Sequence, residues 1–470
     1  NRNRAMASNN VTKPVAPIER IFEAEAAAGP SLKRPDEEAK SEQHGVSGGP
    51  VASKPRCVKE WRVKCGERAV GIRNPIREIM DSVVGKENPS KQMISLAQGD
   101  PTAFKHLRPS NIMVEAVNAA FNAGGFHGYQ PSQGLPACRN ALAEFFSVAG
   151  RKPLTPNDVF MTLGCSEALG HCVAALAAKG ANMLLPRPAF SLYEVLCAYH
   201  GVECRYYELL PDQGWEVDLD SLAAVADDNT CAVLINNPSN PCGAVYSRAH
   251  LAQVLAACAD LKLPVIADEV YSGMTFGEPY AACAAVASNV PVISVCALSK
   301  KWLAPGWRLG WITVHDAEGA LASAGVPDTL LKLCQVSLGP SAPLQAAMPT
   351  ILNNTGPEWY QEKLQALQRQ AKVCVERARG IPGLSIASEP QGAMYVMVRI
   401  TPNALLGIGD DDVTFARELL REESVAVLPG QCFMLPGYFR VVFAPPVDVL
   451  DQAWDRIEAF CQRRAAPDMM

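Results

Sequence analysis

The chain has no Cys-x-x-Cys pair, no His-Glu-x-x-His pattern, no surplus of basic residues and no long apolar run. Spanning a bilayer takes roughly 20 consecutive apolar residues, so no membrane partner is expected. The 16 cysteines are scattered, which argues against a disulfide framework or a zinc ribbon. Several, such as Cys172, Cys197, Cys231, Cys258 and Cys296, sit in apolar runs, where a reduced thiol behaves as a small hydrophobe. We therefore expect a reducing compartment, the cytoplasm first, with mitochondria left open. The seven histidines are dispersed, so no metal site is expected. A formal net charge of -5 gives no attraction to nucleic acid or to an anionic surface. A small anionic ligand would then have to be caught by particular arginines. The chain starts at Asn1 rather than Met, and no signal-peptide pattern is visible.

What is present is enough for a large core: 470 residues, 48% of them hydrophobic. Residues 1–65 stand apart, rich in Pro, Ser, Lys and Glu. Such a stretch cannot bury enough apolar surface to offset its ordering entropy, so a disordered tail is expected, with at most a short helix over 18–28. From there short apolar runs alternate with amphipathic stretches. Strands are predicted over 158–163, 182–185, 231–236, 264–267, 292–297 and 308–314, with helices over 166–178, 190–199 and 250–261. The strand runs are continuously apolar, which suits a mostly parallel sheet covered by helices on both faces. This predicts an α/β domain over 125–345. A long helical stretch over 344–379 follows, then strands over 392–400 and 439–443 and helices over 413–422 and 449–463. These read as a smaller α+β domain over 346–470, completed by a segment over 66–124.

Polar residues gather where predicted strands end, the place where open α/β sheets bind ligands. Gly164-Cys165-Ser166 follows the first strand, Asn236 to Gly243 another, and Asp268-Glu269-Val270-Tyr271 a third. Ser299-Lys300-Lys301 ends the strand over 292–297. Taken singly, each has an ordinary explanation. A Lys-Lys pair is usually surface, an Asp-Glu pair after a strand is usually a cap, and Asn-Pro-Cys-Gly is usually a turn. Joint placement at one sheet edge changes that.

The run Ser299-Lys300-Lys301-Trp302-Leu303-Ala304-Pro305-Gly306-Trp307-Arg308-Leu309-Gly310 resembles the Lys-to-Arg stretch of the fold-type I, class I and II aminotransferases. Other marks of that family stand in order around it: Gly128 to Gly134, Asn240 to Gly243, Asp268 to Tyr271, and Arg440. The resemblance spans about residues 66–465. It implies pyridoxal 5′-phosphate (PLP) as cofactor, with Lys300 as Schiff-base lysine and general base. Asp268 would hold the pyridine nitrogen, and Tyr271 and Asn240 would donate to the phenolic oxygen. Arg308, Ser299, Ser166 and the backbone N–H groups of Cys165 and Ser166 would hold the phosphate, while Phe190 would stack on the ring. Tyr129 would reach the phosphate of the other subunit in a homodimer. Arg440 would clamp the substrate carboxylate, with Asn240 and Gly99 beside it.

The chemistry agrees residue by residue. A lysine can attack as a neutral amine, a carboxylate can keep a pyridine nitrogen protonated, and a guanidinium meets both oxygens of a carboxylate. Only the Cys165 N–H is expected to matter, its thiol being core; Glu269 and Lys301 are expected to be structural. One departure is Ala297, where the family often has a phosphate-binding Ser. Asn74-Pro75-Ile76-Arg77, Gly99-Asp100-Pro101-Thr102 and Lys300-Lys301-Trp302 are most similar to the tyrosine and nicotianamine aminotransferase branch. That implies an aromatic amino donor and a 2-oxo acid acceptor; no arginine stands out as partner for the second carboxylate of 2-oxoglutarate. The rival readings are a carbon–sulfur lyase or an aminocyclopropane-carboxylate-synthase-like enzyme of the same fold, another aminotransferase of the family with a different side-chain preference, and a non-catalytic PLP-binding regulator.

Overall fold

The computed structural model describes residues 61–467, apart from Arg62, Val84 and Ser288. The tail expected over 1–65 lies almost wholly outside the described residues, as does the helix expected over 18–28.

Eight strands form the large sheet: β1 Val159–Thr162, β2 Asn182–Arg187, β3 Glu203–Leu210, β4 Glu216–Val217, β5 Thr230–Asn236, β6 Val265–Asp268, β7 Val292–Ala297 and β8 Gly310–His315. They run in the order β1-β8-β7-β6-β5-β2-β3-β4. The central pairs are parallel. The outer ones are not: β8 runs against both β1 and β7, and β4 turns back on β3. The sheet is thus mixed, parallel at its centre. Every residue of β6 and β7 is buried, which is why those runs read as unbroken apolar sequence.

Helices α1 Cys165–Leu176 and α2 Leu192–His200 follow β1 and β2. The helical stretch expected over 344–379 is two helices, α3 Ala342–Asn354 and α4 Pro357–Gly380. The break falls at Thr355-Gly356, where Pro357 disfavours helical backbone in the residue before it. Strand β3 was not anticipated either. It carries Glu203, Arg205 and Glu208 and is only partly buried, so it lacks an apolar run.

The smaller sheet is antiparallel: β9 Leu384–Ser385, β10 Tyr395–Ile400, β11 Leu428–Pro429 and β12 Tyr438–Val442, in the order β9-β10-β12-β11. Ile94–Ser95 lies parallel to Val425–Ala426. Leu96 donates its N–H to Ala426 at 2.8 Å and accepts from Val442 at 2.9 Å. These bonds fix the direction in which residues 97–100 leave the small sheet. Among the described residues no helix is long and apolar enough to cross a membrane.

Behind the small sheet, α5 Val447–Gln462 packs on α4. Its Trp454 is fully buried and donates Nε1–H to Cys374 Sγ at 3.3 Å. Trp454→Ala is expected to destabilise the fold by about 3–5 kcal/mol, because the space left cannot collapse fully. The denaturant midpoint measures this, and Trp454→Phe should lose much less.

Candidate active site

The carboxyl ends of β1, β5, β6 and β7 lie on one edge of the large sheet. Because β8 runs the other way, its first residue reaches the same edge, with Gly310 in register with both Thr162 and Ala297. This brings Arg308, two residues upstream, beside the start of α1. A Cβ on Gly310 would lie 2.5 Å from the carbonyl carbon of Gly164, so only glycine allows this approach. Arg308 adopts a left-handed φ of 54°, rare for a residue with a side chain. Its guanidinium ties the two loops together, donating to the Pro305 carbonyl at 3.0 Å and to that of Leu163 at 3.1 Å. Beside it the N-terminal turn of α1 presents the backbone N–H groups of Cys165 and Ser166, a ready site for a phosphate.

A cleft of about 470 Å³ opens along this edge. Lys300, Asp268, Tyr271, Asn240, Ser299, Arg308, Phe190, Cys165, Ser166, Gly99 and Arg440 all line it, so the structure brings together every expected site residue except Tyr129. Tyr129 is 91% exposed and lies outside the cleft of its own chain.

Asp268 closes β6 and is buried. It accepts from the Tyr193 hydroxyl at 2.7 Å, the Val270 N–H at 3.2 Å and the Cys165 thiol at 3.6 Å. Burial pushes its carboxyl above the usual range, and these donors pull it back, as does Lys300. The role expected for Cys165 is therefore incomplete: its thiol, not only its backbone N–H, meets the site. Lys300 donates to the Gly99 carbonyl. The neighbouring Lys301 turns away, its Nζ 5.0–5.5 Å from the ring centres of Phe145, Trp302 and Tyr360. Glu269 is equally remote, accepting from Cys283 N–H at 2.8 Å and Ser294 Oγ at 2.9 Å. Only one of the two adjacent lysines, and one of the two adjacent acids, serves the cleft.

Arg440 enters from the small sheet. It lies between the rings of Tyr395 and Phe433, 4.5 and 4.7 Å from their centres. Its Nη1 donates to Asn240 Oδ1 at 2.8 Å and its Nη2 to the Ala97 carbonyl at 2.6 Å, while its buried Nε has no partner. No carboxylate among the described residues pairs with it. The Tyr271 and Tyr395 hydroxyls, 2.7 Å apart, complete this wall.

Sequence reasoning missed Tyr193, Tyr395 and Arg77. Arg77 sits in the short helix Pro75–Val83, exposed at the cleft, and its side chain meets no acidic partner among the described residues. The segment Asn74-Pro75-Ile76-Arg77 marked the family branch, but nothing in it singled out the Arg77 side chain as facing the cleft.

The residues fit PLP. Asp268 has three donors against roughly four acceptor positions on a carboxylate, which leaves about one for a ring N–H. The Gly164–Gly310 approach makes a backbone cradle for a phosphate, and among the described residues Lys300 supplies the only lysine amine lining the cleft. A sheet edge furnished in this way defines a PLP-dependent transferase of the fold-type I class. The family model for class I and II aminotransferases matches residues 91–457, and the chain belongs to that family. It is 40% identical to a tyrosine aminotransferase of Mus musculus over 404 residues, 86% of this chain and 88% of that one. It is 36% identical to nicotianamine aminotransferase A of Hordeum vulgare over 412 residues, covering 86% and 89%. The solved tyrosine aminotransferase from Leishmania infantum superposes with a TM-score of 0.81 at 30% identity, covering 87% of this chain and all of that one.

Proposed function

We propose that the chain moves the amino group of an aromatic L-amino acid, tyrosine first, to a 2-oxo acid, the donor product leaving before the acceptor enters. The observation that carries this reading is Arg440, a buried cation with no carboxylate partner among the described residues, in the same cleft as the Lys300 amine. A guanidinium taken from water without a counter-charge costs several kcal/mol, which a bound α-carboxylate would return. The names of the relatives support an aromatic donor, and Ile76 and Leu192 give the cleft an apolar wall.

Bound PLP supplies an electron sink for the charge left at the α-carbon. Lys300 would hold the cofactor and carry the proton to and from the α-carbon. Asp268 would keep the ring nitrogen protonated, Tyr271 and Asn240 would donate to the phenolic oxygen, and Phe190 would cover the ring. The phosphate would take Arg308, Ser166, Ser299 and the N–H groups opening α1. The Asn240 bond to Arg440 would aim the guanidinium at the substrate, with Gly99 beside it. Arg77, exposed and without an acidic partner among the described residues, supports 2-oxoglutarate as acceptor, its second carboxylate being the natural ligand.

We further propose a homodimer in which Tyr129 reaches the partner's phosphate. The exposed apolar side chains Ile112, Val114, Phe121, Val336 and Leu338 support an interface, and sedimentation should report twice the chain mass. The 15 described cysteines are all free, which supports a reducing compartment such as the cytoplasm.

Borohydride reduction of the PLP-loaded protein, followed by peptide mapping, is expected to leave the cofactor on Lys300. Lys300→Ala should carry no label; label on Lys301 would sink the assignment. Turnover of tyrosine should stop after one equivalent without an oxo acid, whereas continued release would mark a lyase.

Arg440→Lys keeps the charge but loses the fork, so KM should rise for tyrosine, pyruvate and 2-oxoglutarate alike, by about ten- to a hundredfold. Arg77→Gln should raise KM for 2-oxoglutarate alone. A general defect in Arg77→Gln, or a 2-oxoglutarate-specific one in Arg440→Lys, would reverse the two roles.

A further inference from the structure

Asp268 is a carboxylate in the wrong surroundings. It is 3% exposed, and burial alone favours its neutral form. A neutral acid there could not pair with a protonated ring nitrogen. Nor would an anion be useful if free to rotate, since a ring N–H meets one oxygen along one direction. The structure answers both needs with the same atoms. Tyr193, in the first turn of α2, donates to Oδ2 at 2.7 Å. Cys165, the first residue of α1, donates to Oδ1 at 3.6 Å, and Val270 N–H joins it at 3.2 Å. Burial and the neighbouring Asp268 push the Tyr193 phenol and the Cys165 thiol well above their ordinary values, so each keeps its proton and acts as a donor. Three elements therefore converge on one carboxylate: the start of α1, the start of α2 and the turn after β6.

We propose that Tyr193 and Cys165 are positioning residues that hold the Asp268 carboxylate as a fixed anion, and through it set how firmly the cofactor's ring nitrogen keeps its proton. This rests on the reading of Asp268 as the ring-nitrogen partner. Each donor hydrogen bond makes the carboxylate less basic, so the shared proton stays on the ring. Remove a donor and the proton moves toward Asp268. The ring then carries less positive charge. The nitrogen through which Lys300 holds the cofactor loses a like-charged neighbour, and its own titration midpoint rises. Neither residue touches the substrate in this scheme.

The test is the pH titration of the bound cofactor's absorbance in holoenzyme, with cofactor affinity and circular dichroism recorded alongside. Tyr193→Phe keeps the ring, which packs edge-to-face on Phe190 at 5.8 Å, and removes only the hydroxyl. Its midpoint should rise by about half a pH unit or more, the scale of one lost hydrogen bond to a charged group shared over two sites. Cys165→Ala should shift it the same way by less, since a thiol is a weak donor, and Cys165→Ser, which restores a donor, should not raise it. An unmoved midpoint in folded, PLP-loaded Tyr193→Phe overturns the proposal. Equal rises in Cys165→Ala and Cys165→Ser overturn the part given to Cys165, because packing rather than donation would then explain them. Asp268→Asn in the same titration separates the two levels. If it leaves the midpoint unmoved, the ring-nitrogen role of Asp268 is wrong; if it raises the midpoint while Tyr193→Phe does not, only the clamp is wrong.

Discussion

Two buried charges of opposite sign, Asp268 and Arg440, are kept from neutralising one another. A direct pair would satisfy both at little cost and leave the cleft inert. Instead Asp268 closes a strand of the large sheet and takes its donors from two helix starts and its own turn, while Arg440 stands on the small sheet between two aromatic rings. Each is half-compensated, and each keeps capacity for a ligand group. Much of the surrounding architecture follows from maintaining that separation in a low-dielectric site, where an unpaired charge is strongly felt. The Asn240 bond to Arg440 holds a neutral side chain where a counter-ion would spoil the site.

The sequence was most legible where burial is complete. Strands β5, β6 and β7 are apolar on both faces, so they announce themselves as runs, and the polar residues just past them stand out by contrast. Strand β3 lies next to an edge and carries three charges, so the same rule passes over it. The break between α3 and α4 was readable in principle from Gly356-Pro357, but the periodicity on either side hides it. The candidate site behaved alike. Residues in short ordered motifs, such as Lys300, Arg308 and Asp268, declare themselves. Tyr193 looks like any apolar residue in the first turn of a helix, and only its approach to Asp268 at the end of β6 gives its hydroxyl a purpose. The Cys165 thiol was assigned to the core and does sit there, but against Asp268. Arg77 lies some 220 residues from Lys300 in the chain, and folding alone joins them at the cleft.

The short stretch from Ala97 to Gly99 ties these parts together. Hydrogen bonds at Leu96 root it in the small sheet. Its two carbonyls, two residues apart, receive Arg440 and Lys300 respectively. The guanidinium of the small sheet and the amine of the large sheet thus lean on one piece of backbone. A sideways shift of that stretch by a hydrogen-bond length would break both bonds at once. Two charged groups from different sheets are thus yoked to a single segment, as two pins are set by one bar.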